Sequence, residues 1–113
     1  MPLTVQQLDA DVAVAPQLGP EAMAAAAAAG FRSVINNRPD FEGGPSQPTS
    51  AMMEAAAHAA GLEYAFLPVA SNFQSEAEIG RFAELMATLP KPILAFCRSG
   101  TRSGRLWRAA TGR

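Results

Sequence analysis

Pro92-Ile-Leu-Ala-Phe-Cys-Arg-Ser-Gly-Thr-Arg-Ser103 is the stretch whose reading decides the fold. Its first half, Ile93 to Phe96, is an unbroken apolar run bracketed upstream by Pro90 and Pro92, and it is too apolar for a sheet edge. The second half is polar, cationic and contains a glycine, and a helix is expected to begin near Ser103. A buried strand that passes through a tight loop into a helix is the repeating step of a parallel α/β sheet with right-handed crossovers.

The same alternation recurs outward from there. Val12 to Ala15 is a short apolar run, followed by Gly19-Pro-Glu21, where proline suits the first turn of a helix. That helix, Glu21 to Ala29, is mostly alanine and stops at Gly30. Arg32 to Asn36 reads as a buried strand through Val34 and Ile35, and Pro39, Gly43, Gly44, Pro45 and Pro48 mark the loop after it. A second alanine-rich helix is expected from Ser50, as N-cap, to Ala60, ended by Gly61, and Glu63 to Val69 is a further strand. Ser75 and Glu78 form a capping box for a helix with Ile79, Phe82, Leu85 and Met86 on one face. The expected fold class is α/β, a single domain over residues 1–113 with a mostly parallel central sheet flanked by helices. Alanine runs let such helices lie close on the sheet.

A chain of 113 residues has room for one core, and 49% hydrophobic with 17% charged residues is globular composition. A net charge of -1 gives no support to a nucleic-acid or acidic-membrane partner. Positive charge is nonetheless gathered at one end, in Arg98, Arg102, Arg105, Arg108 and Arg113. The single cysteine excludes an internal disulfide and a thiolate zinc cage, so neither metal nor cofactor is expected. It also suits a reducing compartment. Met1 to Asp11 lacks the pattern of a signal peptide, and no apolar run approaches the roughly 20 residues of a membrane span, so a cytoplasmic location is expected. The abrupt stop at Thr111-Gly-Arg113 fits a domain cut from a longer fusion protein.

Ligands of open parallel sheets bind beyond the carboxyl ends of the strands, where Cys97 falls. An inert buried cysteine is the plain alternative. The residues after Cys97 argue against it. Arg98, Ser99, Gly100, Thr101 and Arg102 suit a loop whose N–H groups converge on one point before a helix N-terminus, with Gly100 supplying a positive φ. Those N–H groups, the arginines and a hydroxyl from Thr101 or Ser103 favour thiolate over thiol, so Cys97 is expected to be a low-pKa nucleophile.

This loop resembles two enzyme groups. Tyrosine-phosphatase-type enzymes separate cysteine and arginine by one residue more than the four, Arg98 to Thr101, found here. Rhodanese-type sulfurtransferases use a shorter loop that closes around a single sulfur. More widely, the chain resembles the bacterial beta-lactamase-hydrolase-like, phosphatase-like domains. The resemblance is carried by Pro16-Gln-Leu-Gly-Pro-Glu21, Gly30-Phe-Arg-Ser-Val-Ile-Asn-Asn-Arg-Pro-Asp40, Leu67-Pro-Val69 and Cys97-Arg-Ser-Gly-Thr-Arg-Ser103 with Leu106-Trp107. It implies dual-specificity-phosphatase topology with a loop of rhodanese length, and a fused or associated sulfide- or persulfide-oxidising enzyme. Phe96 stands where many relatives have histidine.

Phosphoester cleavage usually needs a general acid, and the loop expected to face Cys97, Ala70-Ser-Asn-Phe-Gln-Ser75, has no carboxylate. Glu76 and Glu78 are substitutes, but Glu78 already serves the capping box. Sulfur transfer needs no such acid, because a thiol leaves readily. The first expectation is therefore a sulfurtransferase. Cys97 takes a sulfane sulfur from a donor such as thiosulfate or glutathione persulfide and passes it to a thiol acceptor such as glutathione. Arg102 orients the donor, and Arg98, Ser99, Gly100, Thr101 and Ser103 line the site. A cysteine-dependent phosphatase is the second expectation, and a non-catalytic anion-binding module regulating a fused enzyme the third.

Other residues carry two readings each. Asn37 and Arg38 either hold an anionic substrate or belong, with Asn36, to a turn in which Asp40 pairs with an arginine. Gly43 to Pro48 is either a flap or a surface loop. His58, Met52, Met53 and Trp107 read as surface or packing residues, Trp107 alternatively as an interdomain contact, and Arg108 as a solvated one.

Overall fold

The structure, a computed structural model, describes residues 3–113. Four strands run parallel: β2 (Val12–Ala15), β3 (Ser33–Asn36), β4 (Glu63–Phe66) and β5 (Ile93–Phe96). A two-residue strand, β1 (Gln6–Gln7), adds antiparallel to β2, giving the order β1-β2-β5-β3-β4. The most apolar segment therefore takes the centre, as expected. Helices α1 (Ala22–Ala28) and α2 (Ser50–Ala59) cover one face, and α3 (Glu76–Thr88) and α4 (Thr101–Thr111) the other.

Strand alternation sends each residue to its layer. Ala13, Ala15, Val34, Leu94 and Phe96 meet Met23, Ala26, Met53 and Ala57 of α1 and α2. Val12, Val14, Ile35, Ile93 and Ala95 meet Phe82, Leu85, Leu106 and Trp107 of α3 and α4. Ala26 and Ala57 are fully buried, which is how the alanine helices pack close.

Register fixes where chemistry can gather. Ala15 and Asn36 both lie opposite Phe96, and Asn36 lies opposite Phe66, so four strands end at one level. The next residues of each strand, Pro16-Gln17, Asn37-Arg38, Leu67 and Cys97-Arg98, emerge together at the carboxyl edge.

Several boundaries differ from expectation. Thr49, not Ser50, caps α2, its Oγ1 accepting from Met52 N at 3.2 Å. Ser50 is instead the first helical residue, and its N–H donates to Asp40 Oδ1 at 2.7 Å. Asp40 thus satisfies a helix start and, among the described residues, makes no arginine pair. Strand β4 stops at Phe66, although Leu67 and Val69 still donate to Asn36 O and Asn37 O on either side of Pro68, which has no N–H. Helix α4 begins at Thr101, two residues early, because Gly100 (φ 91) turns the chain at once. Met52 is exposed while Met53 is buried. Trp107 is a core residue whose Nε1 donates to Asp9 Oδ2 at 3.2 Å. Among the described residues no helix is long and apolar enough to cross a membrane.

Candidate active site

Cys97 is the first residue after β5, and its whole surface is buried. Gly100 N donates to Cys97 Sγ at 3.1 Å. This inward turn depends on a residue free to take positive φ, with the Ala15 backbone 3.5 Å from where a Cβ would sit. Starting α4 at Thr101 leaves first-turn N–H groups without helical partners, and those of Arg102 and Ser103 turn to the sulfur together with Ser99 N–H. Burial alone would raise the Cys97 thiol. The N–H groups of Ser103, Ser99 and Arg102, with the Ser103 hydroxyl, outweigh it and bring the thiol below its ordinary value. The rate of alkylation against pH should therefore show a midpoint below the model-thiol value of about 8.5; a midpoint at or above it would mean that the hydrogen bonds do not compensate burial.

Arg102 is 5% exposed and makes a bidentate pair, Nη1 to Glu42 Oε2 at 2.8 Å and Nη2 to Glu42 Oε1 at 2.7 Å. Nη1 also donates to Val69 O, and the guanidinium reaches the Cys97 sulfur. It stands between the buried nucleophile and Glu42. Arg38 holds the same carboxylate, Nε to Oε1 at 2.8 Å, and is steadied by Gln17 Oε1 at 3.1 Å. Hydrogen bonding to Arg102, against the cost of burial and helped by Arg38, lowers the Glu42 carboxyl to about 2.

Glu42 is the residue that sequence reasoning missed. It immediately precedes Gly43 to Pro48, the segment read as a flap or a surface loop, which proves to be latched: Gly43 N donates to Gln47 Oε1 at 2.7 Å, and Gln47 Nε2 to Pro39 O at 2.9 Å. A carboxylate after any strand ending at this edge was the available signal. Because the folded pKa is depressed, Glu42 stabilises the fold fully above its unfolded value of about 4.5, and this is lost as pH falls toward 2. Between pH 6 and pH 3, thermal midpoints should fall further for the unaltered protein than for Glu42→Gln; equal falls would show the pair to be energetically silent.

Arg38, Arg98, Arg102 and Arg105 wall a polar cleft of about 760 Å³ together with Ser99 and Thr101, and Glu42 is the one carboxylate lining it among the described residues. Asn37, Gly100 and Ser103 do not line the cleft but lie beneath it, Gly100 and Ser103 against the Cys97 sulfur. Asn37 is fully buried and spent: its N–H donates to Phe96 O, its Nδ2 to Leu67 O at 2.9 Å, and its Oδ1 accepts from Ser103 Oγ at 2.8 Å. It positions Ser103. The single Ser103 proton has both Asn37 Oδ1 and the sulfur in reach. Asn36 likewise turns inward, its Nδ2 donating to Tyr64 Oη and its Oδ1 accepting from Arg38 N. A smaller depression, about 310 Å³, lies beside Thr4 and Leu18 and holds neither nucleophile nor cation. No metal-ligating cluster of three or more His, Cys, Asp or Glu occurs among the described residues.

Residues 4–112 match the family model described as "Beta-lactamase hydrolase-like protein, phosphatase-like domain". The chain belongs to this family. A Beta-lactamase hydrolase-like protein of Agrobacterium fabrum is 44% identical over 80 residues, 71% of this chain, and one of Xylella fastidiosa 45% over 78 residues, or 69%. The phosphatase-like chain spans only 18% of the length of either relative. Among solved structures, a candidate phosphatase from Neisseria meningitidis superposes with a TM-score of 0.86 at 33% identity, covering 96% of this chain and 78% of that one. TpbA of P. aeruginosa, solved as a C132S protein with pTyr, superposes at 0.67 with 14% identity, covering 98% and 71%, and speaks for the fold alone. Tk-PTP, solved as a G95A mutant, shares the fold as well, superposing at 0.69 with 17% identity and covering 97% of this chain and 74% of that one.

Proposed function

We propose that this domain is a cysteine-dependent phosphatase. The observation that carries the reading is the convergence of backbone N–H groups on a buried, thiolate-favouring sulfur beneath a cleft walled by four arginines. Family membership and the 33%-identical Neisseria structure favour phosphoryl transfer over the sulfur transfer expected from loop length. In this reading the Cys97 thiolate attacks phosphorus, the ester oxygen leaves, and water then hydrolyses the thiophosphate. Arg102 and the N–H groups of residues 99 to 103 hold the charge that develops on the phosphoryl oxygens. An incoming anion must take the place of Glu42 on Arg102, since the sulfur has no exposed surface.

Sulfur transfer keeps one observation of its own. The four-residue loop already closes tightly enough for Gly100 N–H to contact the sulfur, leaving little width for three phosphoryl oxygens. Under that second reading the donor is thiosulfate or a persulfide and the acceptor a thiol. The discriminating experiment measures orthophosphate released from para-nitrophenyl phosphate beside sulfur gained by the protein from thiosulfate, with Cys97→Ser as control. Cys97-dependent orthophosphate release is expected; sulfur gain on Cys97 without orthophosphate would install the sulfurtransferase instead.

A further inference from the structure

We propose that Arg98 and Arg105 form a second anion subsite, so that the substrate is a phosphoanhydride whose terminal phosphoryl group reacts at Cys97 while the adjoining phosphate rests on these two arginines. The proposal rests on the phosphatase reading and names its substrate class. Charge is the first ground. Four guanidinium groups share the cleft with one carboxylate, and Glu42 is divided between Arg102 and Arg38. Among the described residues the Arg98 side chain makes no hydrogen bond or ion pair, and Arg105 makes only a long contact, Nη1 to Ser71 O at 3.3 Å. Both are exposed, so nothing in the fold uses their charge. Size is the second ground. A cleft of about 760 Å³ is far wider than the loop around the sulfur, and falls in the roughly 300–1,000 Å³ range that takes a molecule larger than one oxyanion.

The third ground is the leaving group. Glu42 is the cleft's one carboxylate among the described residues, and once an anion displaces it from Arg102 the Arg38 guanidinium still pairs with it, so no protonated acid faces an alkoxide. An anhydride needs none. The Sγ–P bond forms as the bridging P–O bond breaks, and its electron pair leaves with the second phosphate as an anion stabilised by Arg98 and Arg105. Water then attacks the thiophosphate, the S–P bond breaks with its pair returning to sulfur, and the water's proton passes to solvent. A carboxylate at the second site would lack this role, since the ester oxygen would still depart as alkoxide.

The test titrates the Cys97→Ser protein, which binds without turning over, with inorganic pyrophosphate and with orthophosphate by calorimetry. Pyrophosphate should bind about tenfold tighter or better. The Arg98→Gln/Arg105→Gln double variant should lose that advantage, and Arg108→Gln, outside the cleft, should retain it. Equal affinities for the two anions overturn the proposal, as does an advantage that survives the double variant or falls equally in Arg108→Gln. ADP added as a third probe identifies the source: tight binding of pyrophosphate alone indicates a free diphosphate, and binding of both indicates a diphosphate ester. Orthophosphate release from para-nitrophenyl phosphate by the unaltered protein is measured separately. Binding through Arg98 and Arg105 without that release would sink the phosphatase reading and leave the subsite standing.

Discussion

Arg102→Ala is expected to lower kcat/KM for an aryl phosphate by on the order of 10²–10³-fold, the loss typical of removing one preorganised donor to a developing oxyanion. Of the four cleft arginines it alone is buried against the sulfur, and its planar fork already grips a carboxylate with two parallel hydrogen bonds. Lysine should rescue poorly, because a point charge cannot reproduce that fork. Breaking a buried ion pair also costs stability, so thermal melts must accompany the kinetics. Arg102→Lys, which keeps a cation for Glu42, separates misfolding from lost chemistry. Arg108→Ala should stay close to the unaltered protein. Equal losses for the two alanine variants would mean that bulk positive charge matters and that the loop assignment is wrong.

Hydrolysis should also depend steeply on the leaving group. Para-nitrophenyl phosphate hardly needs protonation at its departing oxygen, whereas a phosphoserine peptide does. With Glu42 ionised at about 2 and clamped by Arg38 and Arg102, the expected penalty on the peptide is on the order of 10²–10⁴-fold, the usual worth of a general acid. Glu42→Gln should change turnover of both substrates by a similar factor, because Glu42 acts through its hold on Arg102. Comparable rates on the two substrates, together with a selective loss on the peptide in Glu42→Gln, would show that Glu42 leaves its arginines and acts as the acid.

Most of the architecture was legible because local signals agreed with tertiary need. Ile93 to Phe96 had no polar residue to present to solvent, and it became the central strand. The Ser75–Glu78 capping box closed as written, with hydrogen bonds of 2.8 and 3.1 Å. What escaped notice had weak local signals. The β1 residues Gln6 and Gln7 are exposed and polar, and only pairing with β2 makes them a strand. Thr49 and Ser50 offer the same capping hydroxyl one residue apart, so sequence could not choose between them. The site was half legible. The spacing of Cys97, Gly100 and Arg102 announced the loop, but the carboxylate of the cleft comes from the loop after β3, Glu42, and not from the segment after β4 where Glu76 and Glu78 lie. Asn37 looked like a surface ligand because asparagine is common in loops. Its burial depends on Ser103, Leu67 and Phe96, none of them near it in sequence.

The most direct test of Cys97 as a phosphoryl-accepting nucleophile is rapid acid quench during turnover of para-nitrophenyl phosphate, with mass spectrometry of the Cys97 peptide. One phosphoryl group on Cys97, absent from the Cys97→Ser protein, is the predicted result. Orthophosphate release that persists in Cys97→Ser, with no adduct on the unaltered protein, would contradict it.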